Sequence, residues 1–203
     1  MKYDSFFDEG QIEVNEQDIE FDEIIIPEEP YFEYDKRRIS CAFTGHRTLS
    51  DEEKKSVLPR LKGTVLYLIS QGVKDFHCGG AIGFDTLAAS IVFDVSREHR
   101  DVRLILDIPY ENQTQGWNET NKRFYNFLKS KAHEINIHGK NPSSRNDAID
   151  SLLRRNRSMI DKSHYCVCFL RDENAKKGGT AYTVNYAKLL DSNIINLATE
   201  SEK

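Results

Sequence analysis

The sequence predicts an α/β domain, a doubly wound and mainly parallel sheet with helices on both faces. Three observations carry this. Short apolar runs rich in β-branched and aromatic residues recur along the chain. Stretches of about 10 to 20 residues with helical apolar spacing separate them. The turns that lead from such a run into a helix are rich in glycine. Strand–helix–strand units of this kind close by right-handed crossovers, which set the strands parallel and lay the helices over the sheet.

The elements follow in order. Ile39–Thr44 reads as a buried first strand. Ser50-Asp51-Glu52-Glu53 has the form of a capping box and opens a helix that runs to about Gln71. Pro59 falls inside it and predicts a kink or a restart, because proline lacks the N–H that a helix interior needs. Val73–Cys78 is the second strand, and Phe84–Glu98 a helix with apolar Leu87, Ala88, Ile91, Val92 and Val95. Val102–Ile108 is the third strand, Trp117–Lys131 a helix, and Glu134–His138 a short strand. Asn146–Lys162 is an arginine-rich helix, His164–Leu170 a strand, Thr180–Leu190 a helix and Asn193–Leu197 the last strand.

Composition bounds the rest. A chain of 203 residues, 38% hydrophobic and 30% charged, is long enough for one domain with a core and polar enough to be globular. No apolar stretch approaches the roughly 20 residues that span a bilayer, so no membrane partner is expected. The N-terminal stretch is acidic rather than basic and then apolar, so a secretory signal is not expected and a cytoplasmic location is. Cys41, Cys78, Cys166 and Cys168 form no CxxC pair and sit mostly in strand-like runs, as buried thiols of a reducing compartment do. Cys166 and Cys168 flank Val167 and so face one side of a strand; no metal site is expected.

Charge is unevenly spread. Residues 1–38 hold 13 acids against 4 bases, a net −9, and the remainder is +4. Two domains are therefore expected: an acidic arm over 1–38 and an α/β body over 39–203. The arm reads as a solvated appendage. Its Ile24-Ile25-Ile26 run and Tyr31, Phe32 and Tyr34 give a second reading, packing on the body or on a neighbouring subunit of a homo-oligomer. A body of only +4 beside an acidic arm argues against nucleic acid as a partner.

In open parallel sheets, ligands sit beyond the carboxyl ends of the strands. The turns expected there are the least ordinary part of the chain. Thr44, Gly45, His46 and Arg47 follow the first strand, and Gly79, Gly80, Ala81, Gly83 and Asp85 follow the second. Pro109, Gln113 and Trp117 follow the third, and Gly178, Gly179 and Thr180 lead into the last helix. Glycines let backbone N–H groups approach an anion, and a helix starting directly afterwards adds its positive end. The two glycine turns thus read as phosphate or ribose cradles. Asp85 is either a ribose contact or a helix cap. His46 either assists chemistry or holds its loop. Arg47 reads as an anion contact, and Trp117 as core or as a stacking wall for a base, with Gln113 at the base edge. Arg154 and Arg157 share a helix face and Arg155 points elsewhere. Arg154 reads as part of a solvated face, and the run Arg155-Asn156-Arg157 as placing one arginine in the cleft as a phosphate clamp, with Arg155 and Asn156 as the site residues.

TGHR at 44–47, GGAIGFDTLAA at 79–89, IPYENQTQGWNE at 108–119, RRNRSMIDKSHY at 154–165 and GGTAYTVNYA at 178–187 together resemble the YpsA-like family. That family belongs to the SLOG superfamily of Rossmann-like proteins, with DNA-processing protein A and the LOG phosphoribohydrolases as more distant kin. The resemblance runs from about residue 39 to 198. It implies a Rossmann-like fold and a pocket for a nucleotide or a nucleotide-derived, ADP-ribose-like ligand at the glycine turns, with signal sensing as a role. LOG enzymes carry PGGxGTxxE, whose glutamate supports N-glycosidic cleavage. Here that slot holds Thr183, which is no acid or base at neutral pH. Ligand binding is therefore the first expectation. The alternative is an N-glycosidic hydrolase of nucleoside phosphates, with Asp85, His46 and Glu119 as candidate catalytic groups.

Overall fold

The computed structural model describes residues 34–198. The N-terminal arm expected over 1–38 lies outside the described residues except for its last five, and the first of these is Tyr34. They form helix α1, Tyr34–Arg38. Arg37 ties it to the body: its Nε donates to the Ser163 carbonyl at 3.0 Å and its Nη2 to the Leu190 carbonyl at 2.9 Å.

Strands and helices then alternate. Strand β1, Ser40–Gly45, leads to helix α2, Asp51–Ser70, and β2, Asp75–Cys78, to α3, Phe84–Ser96. β3, Arg103–Ile108, leads to α4, Glu119–Lys131, and β4, Glu134–Ile137, to α5, Arg145–Asp161. β5, Tyr165–Phe169, leads to α6, Gly179–Leu189, before β6, Asn193–Asn196. The six strands stand in the order β4-β3-β2-β1-β5-β6, and every neighbouring pair is parallel. The Rossmann-like doubly wound fold read from the sequence is what the chain forms.

Alternation along the strands builds two cores, because successive side chains point to opposite faces. On one face, Cys41, Phe43, Phe76, Cys78, Leu104, Leu106 and Ile108 pack beneath α2, α3 and α4. On the other, Ala42, Cys166 and Cys168 pack beneath Met159 and Ile160 of α5 and Val184, Tyr186 and Ala187 of α6.

Helix α2 does not restart at Pro59. It runs unbroken from Asp51 to Ser70, with Val57, Leu61, Val65 and Leu68 buried along one side. That continuous apolar seam carries the helix past the ladder bond that proline cannot make. Its start is the expected capping box: Ser50 Oγ accepts from Glu53 N at 3.2 Å, and Glu53 Oε2 accepts from Ser50 N at 2.7 Å. Among the described residues, no helix is long and apolar enough to cross a membrane.

Candidate functional site

The chain steps from β1 through β2 and β3 to β4 at one edge, then returns to place β5 on the other side of β1. Strand order reverses there, and crevices open beyond the carboxyl ends at such a reversal. Two connected hollows occupy this place. The larger, about 360 Å³, is lined by Arg47, Ala81, Tyr110, Gln113, Trp117 and Arg155 among others. The smaller, about 30 Å³, is lined by Thr44, Gly45, Arg47, Ala81, Asp85, Leu152, Arg155, Asn156, Gly179 and Thr180. Arg47, Ala81, Leu152 and Arg155 belong to both.

Arg155 is the centre of the arrangement. It is 5% exposed, and its Nη1 lies 3.5 Å from Oδ2 of Asp85, itself 4% exposed in the first turn of α3. Burial lowers the guanidinium pKa, while the charges of Asp85 and Asp107 oppose that shift. Gly79 makes this possible. A Cβ at residue 79 would lie 1.2 Å from Arg155 Nη1 and 2.6 Å from the Asp85 carboxylate. The turn after β2 is therefore bare at this point to admit an arginine side chain of its own chain. Gly45 likewise leaves room for the Phe84 ring, which a Cβ would meet at 2.6 Å. Gly83, at φ 93°, lets the backbone pass against the carbonyls of His46 and Arg47, where a Cβ would stand 2.5 Å or less away. Phe84 N donates to the His46 carbonyl at 3.1 Å, which locks the first two turns together.

The last turn supplies the other side. Gly178, at φ 101°, caps α6 without a side chain, and Gly179 and Thr180 form its first turn. Thr180 is 3% exposed. Among the described residues, Thr180 Oγ1 and Arg155 Nε have no hydrogen-bond partner. Thr183, in the slot where a glutamate would serve cleavage, donates to the Gly179 carbonyl at 2.7 Å and accepts from Asn156 Nδ2 at 2.8 Å.

The remaining expected residues divide. Gln113 and Trp117 line the larger hollow, and Trp117 also packs edge-on against Tyr125, with ring centroids 5.6 Å apart. Gly80, at φ 65°, backs onto Tyr125. Pro109 is buried behind the cleft, its carbonyl facing Gly139. His46 holds its loop: Nε2 accepts from Arg171 N at 3.3 Å, and the ring stands edge-on to Phe169. Glu119 lines neither hollow; its side chain is 74% exposed and pairs with Lys122. Arg157 donates to the Tyr182 hydroxyl at 3.3 Å, as its place away from Arg155 requires.

Sequence reasoning missed several lining residues: Tyr110, Asn112, Gln115, Asn118, Asn121 and Asn141. The carboxamides crowded into 112–121 were the available signal. It also missed a polar network beside the cleft. Asp107, fully buried on β3, lies 2.7 Å from His77 Nδ1 and 2.8 Å from His138 Nε2. Burial raises the Asp107 pKa, but the hydrogen bonds from both imidazoles outweigh it and hold the carboxyl well below the usual range.

Comparison with known proteins agrees with the fold. The profile of the YspA SLOG family matches residues 42–198. UPF0398 proteins of Bacillus thuringiensis (strain Al Hakam) and Bacillus cereus (strain Q1) are each 26% identical over 128 residues, 63% of this chain and 67% of theirs. Among solved structures, DNA processing protein A from Streptococcus pneumoniae aligns at TM-score 0.49 and 17% identity, over 76% of this chain and 48% of that one. DNA processing protein A from Helicobacter pylori aligns at 0.51 and 16%, over 78% of this chain and 64% of that one. This chain thus spans about half to two thirds of their length. The Helicobacter pylori protein is described by its single-stranded DNA binding mode. That corrects the expectation that nucleic acid is no partner. A mild body charge and an acidic arm do not exclude it, since net charge does not report the local field of a cleft. The profile match runs from within β1 to beyond β6 and takes in all the turns described above, and this chain belongs to the YspA SLOG family.

Proposed function

We propose that the protein binds a nucleotide or nucleotide-derived ligand, with its phosphate held between Arg155, Arg47 and the start of α6. One observation carries the reading: two buried donors, Thr180 Oγ1 and Arg155 Nε, lack a hydrogen-bond partner among the described residues, and their side chains line one small hollow. A buried donor without an acceptor costs about 1–3 kcal/mol, so such pairs are kept where an acceptor comes from outside. The N–H groups of the first α6 turn and the positive end of the helix favour an anion in the same place. Trp117 and Tyr110 give the larger hollow two aromatic walls.

Binding is favoured over N-glycosidic cleavage. Cleavage needs a group that exchanges protons near neutral pH. Asp85 is engaged by Arg155, Thr183 is spent on Gly179 and Asn156, and Glu119 stands outside.

A second reading, in which the nucleotide belongs to a single strand, also has support. A depression of about 620 Å³, with Lys140 and Arg154 on its wall beside Asp147 and Asp150, adjoins the cleft through Asn141 and Pro142. The described single-stranded DNA binding of the Helicobacter pylori protein suggests the same ligand class. Calorimetric titration with mononucleotides and short single-stranded DNA tests both. Thr180→Val, which keeps shape and removes the hydroxyl, should weaken binding about tenfold while leaving the melting temperature of the ligand-free protein no lower than the parent's. Folded protein that binds no phosphate-bearing compound at millimolar concentration would reject the site.

A further inference from the structure

The two ends of the cleft differ in chemistry. Its charged lining side chains are Arg47 and Arg155, and both stand at the end shared with the small hollow. The lining that the larger hollow does not share with the smaller presents Asn112, Gln113, Gln115, Asn118, Asn121 and Asn141 beside Tyr110 and Trp117, and neither carboxylate nor lysine.

Charge decides how much phosphate fits. Arg155 is already answered by Asp85, so the lining contributes at most about one positive charge from Arg47, plus roughly half a charge from the α6 terminus. A phosphate monoester carries about −1.5 to −2 at neutral pH, and a second phosphate would meet no further cation in the lining of the larger hollow; Lys140 and Arg154 of the adjoining depression share its wall with Asp147 and Asp150. Carboxamides offer donors and acceptors without charge. Two of them are oriented by their own fold: Asn118 Oδ1 accepts from Asn121 N at 2.9 Å, and Asn141 Oδ1 from Asn112 N at 3.0 Å. Each leaves an amide nitrogen to donate. Carboxamides beside aromatic faces are the chemistry that reads a nucleobase edge.

We infer that the cleft takes a unit of one phosphate and one neutral nucleobase, and discriminates against a diphosphate. This rests on the phosphate site proposed above. The unit is either a free nucleoside monophosphate or one nucleotide of a strand.

Calorimetry on the full chain separates these statements. The probes are inorganic phosphate, ribose 5-phosphate, the nucleoside 5′-monophosphates and diphosphates, ADP-ribose and tetrathymidylate. At least one monophosphate should bind tenfold or more tighter than ribose 5-phosphate, and its diphosphate no tighter. The double variant Asn112→Leu with Asn121→Leu should remove that tenfold gain and leave ribose 5-phosphate affinity within twofold, which also shows that the variant is folded. Ribose 5-phosphate binding as well as every monophosphate, or ADP-ribose binding tenfold tighter than all of them, overturns the inference while the phosphate site stands. Binding of none of the probes removes the site and the inference together. Tetrathymidylate binding tenfold tighter than thymidine monophosphate assigns the unit to a strand; equal affinity assigns it to a free nucleotide.

Discussion

Gly79 shows how a residue can be read correctly as special and for the wrong cause. In the sequence it belongs to a bare turn before a helix, the form a phosphate cradle takes. In the fold its missing side chain admits Arg155, a contact between residues far apart in the chain that spacing cannot reveal. Asp85 is explained by the same contact, as the carboxylate that holds the arginine. That one arginine of the run 155–157 enters the cleft was legible; that it is Arg155, while Arg157 turns to Tyr182, is settled by the fold. Gly79→Ala should therefore cost about 1–3 kcal/mol in urea unfolding through overpacking, and weaken ligand binding by displacing the guanidinium. Gly63→Ala is the matched control. Nothing lies within 4 Å of its Cβ in the middle of α2, so it should stabilise by about 1 kcal/mol and leave binding alone.

Among the elements, α2 was the most legible at its start and the least in its middle. The capping box is local chemistry, and the hydroxyl and carboxylate at Ser50 and Glu53 form it as read. Pro59 does not break the helix into two, because the buried seam that carries it through is tertiary. The fold adds a partner that no local pattern holds: Arg171, after β5, donates to Glu53 Oε1 at 2.6 Å and Oε2 at 2.8 Å, and to the Thr48 carbonyl at 2.7 Å. The bond from Arg171 brings the Glu53 carboxyl down to about 2. Its folded pKa is depressed, so the stabilisation is present above the ordinary glutamate value of about 4.3 and is lost as pH falls towards 2. Glu53→Ala should cost about 1 kcal/mol at pH 7, mostly as lost capping because the ion pair is partly solvent-screened. The gap between variant and parent in urea unfolding should narrow from pH 5 to pH 3.

At the scale of the whole molecule, alternating strands and helices announced a doubly wound sheet, and residues of four predicted turns do line one edge of it. The order of the strands was not legible. Crossing back from β4 to β5 depends on which faces remain to be covered, and this is settled by packing beneath α5 and α6. Cysteine placement has a practical consequence. Cys41, Cys78, Cys166 and Cys168 all lie in β1, β2 and β5, the strands flanking the reversal, and all are sealed from solvent. Burial pushes the Cys168 thiol up to about 12 and the others also above their ordinary value. Local fraying cannot expose them; only separation of the central strands can. The four sulfurs thus act as an internal clock. Under native conditions a thiol reagent followed by mass spectrometry should modify all four at one shared rate, that of global opening. An occupied cleft should slow the clock in proportion to ligand affinity, giving a measure of binding that works whatever compound fills the cleft.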